Sequence, residues 1–339
     1  MDTVNRLEST RLSMLTIRGA FGGVLMGLAN LVPGISGGTM LLVAGVYPAF
    51  VGAIAELTRL RFRLRPFLLL GVVALAAGLT IILLARAVMN LVIDHRWIMY
   101  SLFIGLTLGG APLLLKMMKP RPISAWVGVA AGILVMVAIA LVKPGAANDP
   151  SGNMFVLFLA GVAGASAMIL PGVSGAYLLL ILGQYVTILA ALHEVKAGLL
   201  GADGAGPDLS VLLGAMPVVI PVGIGVVLGI VAVSSLLSAL LQRFEKPTLG
   251  FLLGLLLGSI VGLWPFQQAV EPPIGSVYRG EVVDAQILAE IERKDWPNEY
   301  FRPTPVQVAT SVGLIAVGFA VTLGVARIGR EKPVKRQSV

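Results

Sequence analysis

The chain has 339 residues, of which 57% are hydrophobic and only 12% are charged, and its mean hydropathy is +0.93. This composition excludes a soluble domain, and the long Leu/Val/Ala/Gly runs lack the alternation of a membrane β-barrel. With no Cys and only two His, we expect no disulfide, no metal site and no bound cofactor. The net charge of +8 comes from basic residues beside apolar runs, which argues against nucleic acid as a partner.

Ten apolar runs follow one another along the chain, and their lengths suit helices in a membrane. They lie at 12–32, 36–57, 66–93, 97–115, 123–142, 154–170, 176–192, 209–241, 248–264 and 305–326. The first 18 residues are polar, so we expect no cleavable signal with an apolar core of its own.

Basic residues concentrate in three short loops, at 58–66, 116–122 and 242–247, and in the C-terminal tail. The positive-inside rule predicts that all four segments, and hence both termini, are cytoplasmic. The long loop at 265–304 is acidic and fits the outer face.

Each half of the chain contains five apolar runs, and an odd number inverts the second half relative to the first. We therefore predict an all-α polytopic membrane protein built from two inverted-topology repeats. The repeats are residues 1–145 and 150–330, the second carries the outer loop 265–304, and a basic cytoplasmic tail follows at 331–339. Inverted repeats are typical of transporters.

A Pro-Gly-x-Ser-Gly motif occurs once in each half, inside apolar sequence. The copies are Pro33-Gly34-Ile35-Ser36-Gly37-Gly38 and Pro171-Gly172-Val173-Ser174-Gly175-Ala176, and aligning 33–56 with 171–194 without gaps gives ten identities. Hydrocarbon tolerates such a break only where protein or a polar cavity covers it. Two full spans around each motif remain an alternative, but we favour a re-entrant hairpin with the motif at its tip.

A helix that begins after each motif, at about Gly38–Met40 and Ala176–Leu178, would present unpaired N–H groups and the positive end of its macrodipole. Together with hydroxyl donors, this is the chemistry of a phosphate site. The candidate substrate-binding residues in the motifs are Pro33, Gly34, Ser36, Gly37, Gly38, Thr39, Pro171, Gly172, Ser174 and Gly175. The alternative is that Gly and Ser only allow tight helix packing and cap the helices.

Three further candidates for contact with the substrate are Tyr47, Tyr185 and Arg86. In a continuous helix the tyrosines lie about 16 Å beyond the motif serines, which suits either a headgroup path or an interfacial tyrosine belt. Arg86 lies about 30 Å from the cytoplasmic end of its run, so the alternative to a headgroup contact is snorkelling at the outer interface. At about 30 Å from the serines, Glu56 and Glu194 are expected at a membrane surface and not in proton coupling.

The segments NLVPGISGGTM (30–40) and MILPGVSGAYLLLILGQY (168–185) resemble the bacterial polyprenyl-phosphate transporter family, and the resemblance extends over about 15–330. It implies a flippase of the bacterial inner membrane that returns undecaprenyl phosphate from the outer to the inner leaflet, so that this carrier lipid is recycled for cell-wall biogenesis. The implied partners are the polyprenyl phosphate and membrane lipids, and association into a homo-oligomer stays open.

Two other functions compete with this one. A secondary transporter of a small soluble anion would use the same helix starts. A membrane enzyme acting on lipid phosphate would need a nucleophile and a base, and neither motif has a Cys, a His or a carboxylate nearby. We therefore predict that the chain is not an enzyme.

Overall fold

A computed structural model of the chain describes residues 12–31, 36–58, 63–142, 153–201, 206–278, 281–290 and 296–328, which are mostly helical. The first half contains, in chain order, α1 (Leu12–Asn30), α2 (Gly37–Val43), α3 (Tyr47–Thr58), α4 (Leu64–Asp94), α5 (Arg96–Leu108), α6 (Ala111–Met117) and α7 (Ile123–Leu141). The second half contains α8 (Met154–Ile169), α9 (Gly175–Ile181), α10 (Tyr185–Leu200), α11 (Leu209–Arg243), α12 (Glu245–Gly262), α13 (Ala285–Glu290) and α14 (Pro305–Ile328).

Within the described ranges, six helical segments are long and apolar enough to cross a membrane: α4, α5 continued by α6, α7, α11, α12 and α14. The helix α8 is shorter, with 16 residues, or about 24 Å. The pair α9 and α10 is bent by 114° at the break between them. The chain is thus a multi-pass α-helical membrane protein, as its composition predicts.

The two halves use the same helix partners. The helix α1 packs along α4, and in the second half α8 packs along α11. Both contacts are close because glycines face the neighbouring backbone: a Cβ on Gly23 would lie 2.6 Å from the Val73 carbonyl oxygen, and one on Gly161 would overlap the Val222 carbonyl. Small residues at crossing points are how helices approach closely without water to drive them together.

Two further contacts join one half to the other. The helix α7 packs along α12, and α14 packs along α5. A Cβ on Gly128 of α7 would overlap the Pro247 carbonyl, and a Cβ on Gly105 of α5 would overlap the Ile315 carbonyl. The last helix of each half therefore packs against the other half.

A seven-residue helix follows each motif, and both helices end in the same way. The chain turns at a glycine with positive φ, +71° at Gly45 and +68° at Gly183, and the next N–H bonds back to the carbonyl five residues earlier. This is a Schellman end, which favours glycine. The chain is therefore not one continuous helix from either motif to Glu56 or Glu194, and the distances that assume one do not hold.

The segment 265–304 contains two small antiparallel strand pairs. The strand β1 (Gln267–Ala269) pairs with β4 (Asn298–Tyr300), and β2 (Val277–Tyr278) pairs with β3 (Glu281–Val282). Beside the first pair, the Phe266 ring packs edge-on against the rings of Trp264 and Phe301. The predicted long loop thus has local order of its own and contacts α5 through β1.

Candidate functional site

The first motif copy is described from Ser36 onward, and Pro33 and Gly34 lie outside the described residues. Ser36 has extended backbone angles (φ −95°, ψ 127°) and precedes Gly37, the first residue of α2. The predicted start at about Gly38–Met40 is confirmed to within a residue. Every residue of α2 is buried, and Ser36 and Thr39 are only 4% and 1% exposed. This helix start is surrounded by protein.

The second copy has nearly the same backbone in a different setting. Ser174 is extended (φ −92°, ψ 120°), and its Oγ accepts the backbone N–H of Tyr177 at 3.4 Å, which caps α9. Pro171 and Gly172 are buried, whereas Ser174 and Gly175 are half-buried. Gly172 has φ +88°, and a Cβ there would lie 2.6 Å from the carbonyl oxygen of Leu255, midway along α12.

The structure brings the two copies into direct contact. The Ser36 hydroxyl donates to the Leu170 carbonyl at 3.0 Å, and the Gly172 N–H donates to Thr39 Oγ1 at 2.9 Å. Gly38 lies against the same stretch of backbone, since a Cβ there would be 3.1 Å from the Met168 carbonyl oxygen. Side chains of the first copy thus form hydrogen bonds with backbone groups of the second copy. These groups lack a partner within a helix because the helix is broken there.

Tyr47 belongs to this contact and not to an interfacial belt. Its side chain is 2% exposed, and its hydroxyl donates to the Ile169 carbonyl at 2.8 Å. The aligned residue, Tyr185, is half-exposed at the first position of α10. A belt tyrosine has its hydroxyl at the lipid headgroups, so the burial of Tyr47 contradicts that interpretation for the first copy.

A cavity of about 350 Å³ opens at the second copy. It lies between the end of α7, the motif and the end of α12, and its polar lining side chains are Ser174, Tyr177, Ser259 and Tyr300. The Tyr177 hydroxyl donates to the Val142 carbonyl at 3.4 Å, and Ser259 donates to the Leu256 carbonyl at 2.8 Å. Residues that carry hydroxyls, on three separate elements, thus line one cavity beside one helix start.

The serines of the two copies differ in what they can still offer a ligand. A serine hydroxyl has one hydrogen and two lone pairs. Ser36 gives its hydrogen to a carbonyl, whereas Ser174 acts as an acceptor in its cap and keeps its own O–H for another acceptor. Of the two motif serines, Ser174 is therefore the one whose hydroxyl can donate to an anion in this structure.

Sequence reasoning missed Tyr177, Ser259 and Tyr300 as residues around the site. Tyr177 aligns with Thr39 in the repeat, so the alignment was a signal for it. Ser259 and Tyr300 belong to α12 and β4, distant in sequence from both motifs.

The remaining candidates lie elsewhere. Arg86 is in the last third of α4. Glu56 is half-buried on α3 and Glu194 is exposed on α10, and neither lines the cavity. Among the residues that the structure describes, three or more His, Asp or Glu side chains nowhere come together in a way that could hold a metal ion.

The basic loops at 116–122 and 242–247 lie side by side. The Lys246 ammonium donates to the Met117 carbonyl at 2.8 Å and is 3.4 Å from the Glu245 carboxylate. Both loops were predicted on one side of the membrane, and this contact places them at one end of the helices.

The chain is similar in sequence to a known family and to named transporters. A family model described as VCA0040-like, undecaprenyl phosphate translocase-like, matches residues 26–277. A polyprenyl-phosphate transporter of Vibrio cholerae serotype O1 is 28% identical over 197 residues, which are 52% of this chain and 61% of the relative. One of Staphylococcus aureus is 29% identical over 184 residues, 51% of this chain and 64% of the relative.

The match thus spans less than two-thirds of the length of either relative. Both relatives are named as transporters and not as enzymes, in agreement with the prediction made for this chain. No solved structure matches it.

Proposed function

Because the chain belongs to the undecaprenyl phosphate translocase-like family, as the resemblance of its motifs predicted, we propose that it transports polyprenyl phosphate. In this proposal it moves undecaprenyl phosphate from the outer to the inner leaflet of the bacterial inner membrane, where the carrier is reused for cell-wall biogenesis. One observation carries the proposal: the helix start at Ser174 faces a cavity lined with hydroxyls, while its counterpart at Ser36 is sealed inside the protein.

The proposed substrate has a polar phosphate and an apolar prenyl chain, and the protein has a suitable environment for each. A phosphate needs hydrogen-bond donors that replace its water, and the cavity places the O–H of Ser174 beside the N-terminal N–H groups of α9. A prenyl chain needs only an apolar environment. Many helices of the described chain have apolar side chains on their exposed faces, such as Leu75, Ile82 and Val227, so the chain can remain in lipid while the phosphate crosses.

The proposed binding residues follow from the position of each motif copy. Ser174 and Gly175 contact the phosphate in the present conformation, and Tyr177 and Ser259 line the same cavity. Ser36, Gly37, Gly38 and Thr39 do so after a rearrangement that breaks their contacts with the second copy. Pro171 and Gly172 shape the break in the second copy, and Pro33 and Gly34, which lie outside the described residues, stay proposed binding residues. Arg86 and Tyr185 stay proposed headgroup contacts along the path.

We further propose that the halves, 1–145 and 150–330, are inverted repeats and that the motifs are tips of re-entrant hairpins. The matching helix order, the equivalent pairs α1–α4 and α8–α11, and the exchange of α7 and α14 support the repeat. The short α8 and the 114° bend after α9 support a hairpin. The loop 265–304 is then outside, and the basic loops, both termini and the tail 331–339 are cytoplasmic.

The transport mechanism in this proposal is alternating access. The cavity at Ser174 opens beside Tyr300 of the segment 265–304, so the described conformation receives lipid from the outer leaflet. Movement of one half against the other would exchange the buried and the accessible motif copy. The buried hydrogen bonds of Ser36, Thr39 and Tyr47 must break in that step.

Leaflet-resolved labelling of undecaprenyl phosphate in proteoliposomes tests the function and the site together. We expect Ser174→Ala to slow transport about tenfold, the effect of one hydrogen bond to a charged group, and Ser259→Ala to slow it less, because the Ser259 hydroxyl already donates to the Leu256 carbonyl. The matched control is Ser124→Ala, because Ser124 is exposed at the other end of α7. Absence of transport by the wild type overturns the function, and uptake of inorganic phosphate by the same vesicles would favour a soluble anion instead.

A further inference from the structure

We propose a second binding site for the same lipid, in an apolar cavity at the opposite end of the helices, where the prenyl chain lies with its phosphate at a basic rim. The inference rests on the proposed function, because it names polyprenyl phosphate as the occupant. It adds a site that neither the motifs nor the relatives' names assign.

The cavity has a volume of about 460 Å³, within the range of ligand pockets. It lies between α7, α11 and α12, and Thr248 is its one polar lining side chain among the described residues. The others are apolar or glycine: Gly128, Leu170, Val233, Leu236, Leu237, Leu240, Phe244, Pro247 and Phe251. Such a lining suits a hydrocarbon chain and offers little to a soluble anion.

At the end of α11 this cavity reaches the basic loop at 242–247, and the basic loop at 116–122 lies beside that loop; the two loops together are called the rim of the cavity. Phe244 and Pro247 line the cavity, and the Arg243 guanidinium lies 5.5 Å from the centre of the Phe244 ring. Lys246 joins this loop to the loop at 116–122 through the Met117 carbonyl. The basic side chains of the rim are Lys116, Lys119, Arg121, Arg243 and Lys246, against one acid, Glu245.

The charge of this rim argues for an anionic lipid as the occupant. Each basic side chain near a membrane surface attracts an anionic headgroup, and the apolar cavity beside the rim takes a chain that is attached to such a headgroup. A neutral prenol would gain nothing from the rim.

The second motif copy separates this cavity from the one at Ser174. Leu170 lines the apolar cavity, while Gly172 and Val173 line the polar one. The carbonyl of Leu170 is held by the Ser36 hydroxyl. Lipid in the apolar cavity is therefore only a few residues from the motif, as a release site on the far side of a transport step requires.

Native mass spectrometry of the full chain in detergent tests the site through binding, with undecaprenyl phosphate, undecaprenol and phosphatidylglycerol as the three probes. We expect Leu240→Trp, which fills the cavity, to abolish the species with two bound undecaprenyl phosphates. Leu228→Trp is the matched control, because Leu228 is an exposed leucine of α11 that does not line the cavity. If Leu240→Trp impairs folding, Leu236→Trp replaces it, since Leu236 lines the cavity and is 59% exposed.

Arg243→Gln tests the rim. We expect it to weaken undecaprenyl phosphate binding about fivefold and to leave undecaprenol unchanged, with Lys196→Gln on α10 as the control. Unchanged double occupancy in both tryptophan variants overturns the site, and equal competition by phosphatidylglycerol reduces it to a general lipid contact and overturns it too. If the variants change binding as expected but the wild type transports nothing, the proposed function is overturned and the site is not.

Discussion

The two motif copies have the same local structure and different neighbours. Ser36 and Ser174 differ by 3° in φ and 7° in ψ, and each precedes a helix of seven residues. Ser36 is buried and donates to the other half, whereas Ser174 caps its own helix beside a cavity. The motif therefore fixes the backbone of a helix start, and the surrounding helices decide whether its hydroxyl packs or is available to bind.

The largest effect is expected at Gly172, where the two copies meet. Gly172→Ala combines a positive φ with a Cβ that would lie 2.6 Å from the Leu255 carbonyl oxygen, so we expect the free energy of unfolding to fall by about 3 kcal/mol or more. The control is Gly45→Ala, with φ +71° but open space around the new Cβ, which should cost about 1–2 kcal/mol. Denaturant titration in detergent measures both, and equal losses would mean that the contact with α12 contributes nothing.

Replacing Ser36 and replacing Ser174 should affect stability and transport differently. Ser36→Ala leaves the Leu170 carbonyl without its donor, and we expect a loss of about 1–3 kcal/mol in the free energy of unfolding. Ser174→Ala removes a cap and should cost about 1 kcal/mol, yet it should slow transport more. Thermal unfolding and leaflet-resolved transport of both variants decide the matter. The comparison fails if Ser174→Ala is the less stable variant or the faster transporter.

The aligned tyrosines, Tyr47 and Tyr185, offer the same comparison between a buried and an accessible copy. Tyr47→Phe removes a buried hydrogen bond to Ile169 and should cost about 1–1.5 kcal/mol. Tyr185→Phe changes a half-exposed residue and should remain within about 0.5 kcal/mol of the wild type. Parallel denaturant titrations measure the difference, and a larger loss for Tyr185→Phe would assign the buried role to the wrong copy.

The smallest effect is expected at Asp208, a reference for the capping role of Ser174. Hydrogen bonds from the Ser210 hydroxyl and from the N–H groups of Ser210 and Val211 lower the pKa of the Asp208 carboxyl below its usual value. Since the pKa is lower in the folded chain, the stabilisation is present above the unfolded pKa and is lost as the pH falls. We expect Asp208→Asn, which caps without titrating, to lose slightly less thermal stability than the wild type between pH 5 and pH 3. Identical pH profiles would show that this cap carries no titrating stabilisation.

Much of the helical architecture could be predicted from hydropathy. The run 305–326 corresponds to α14 at Pro305–Ile328, and both motif helices begin within a residue of the predicted start. The turns at Gly45 and Gly183 were missed because apolar residues continue on both sides of them, although the two glycines were among the ten identities. Hydropathy reports burial in lipid and does not report where a helix bends.

The contacts between the copies and the cavity could not be predicted, because they depend on how distant helices pack. Nothing in the sequence pairs Ser36 with Leu170 or brings Tyr300 to Ser174. The expected tyrosine belt failed at Tyr47 for the same reason, since the bend at Gly45 turns that residue into the protein.

The exchange of the last helices has a consequence for how the chain is made. When α7 leaves the ribosome, α12 does not yet exist, so the glycine face at Gly128 has no partner until most of the second half has been inserted. The groove at Gly105 waits still longer, for α14. Insertion into the membrane therefore passes through a state in which the first half lacks its packing partners. Expressed alone, neither 1–145 nor 150–330 should assemble, and co-expressing the two as separate chains should restore assembly.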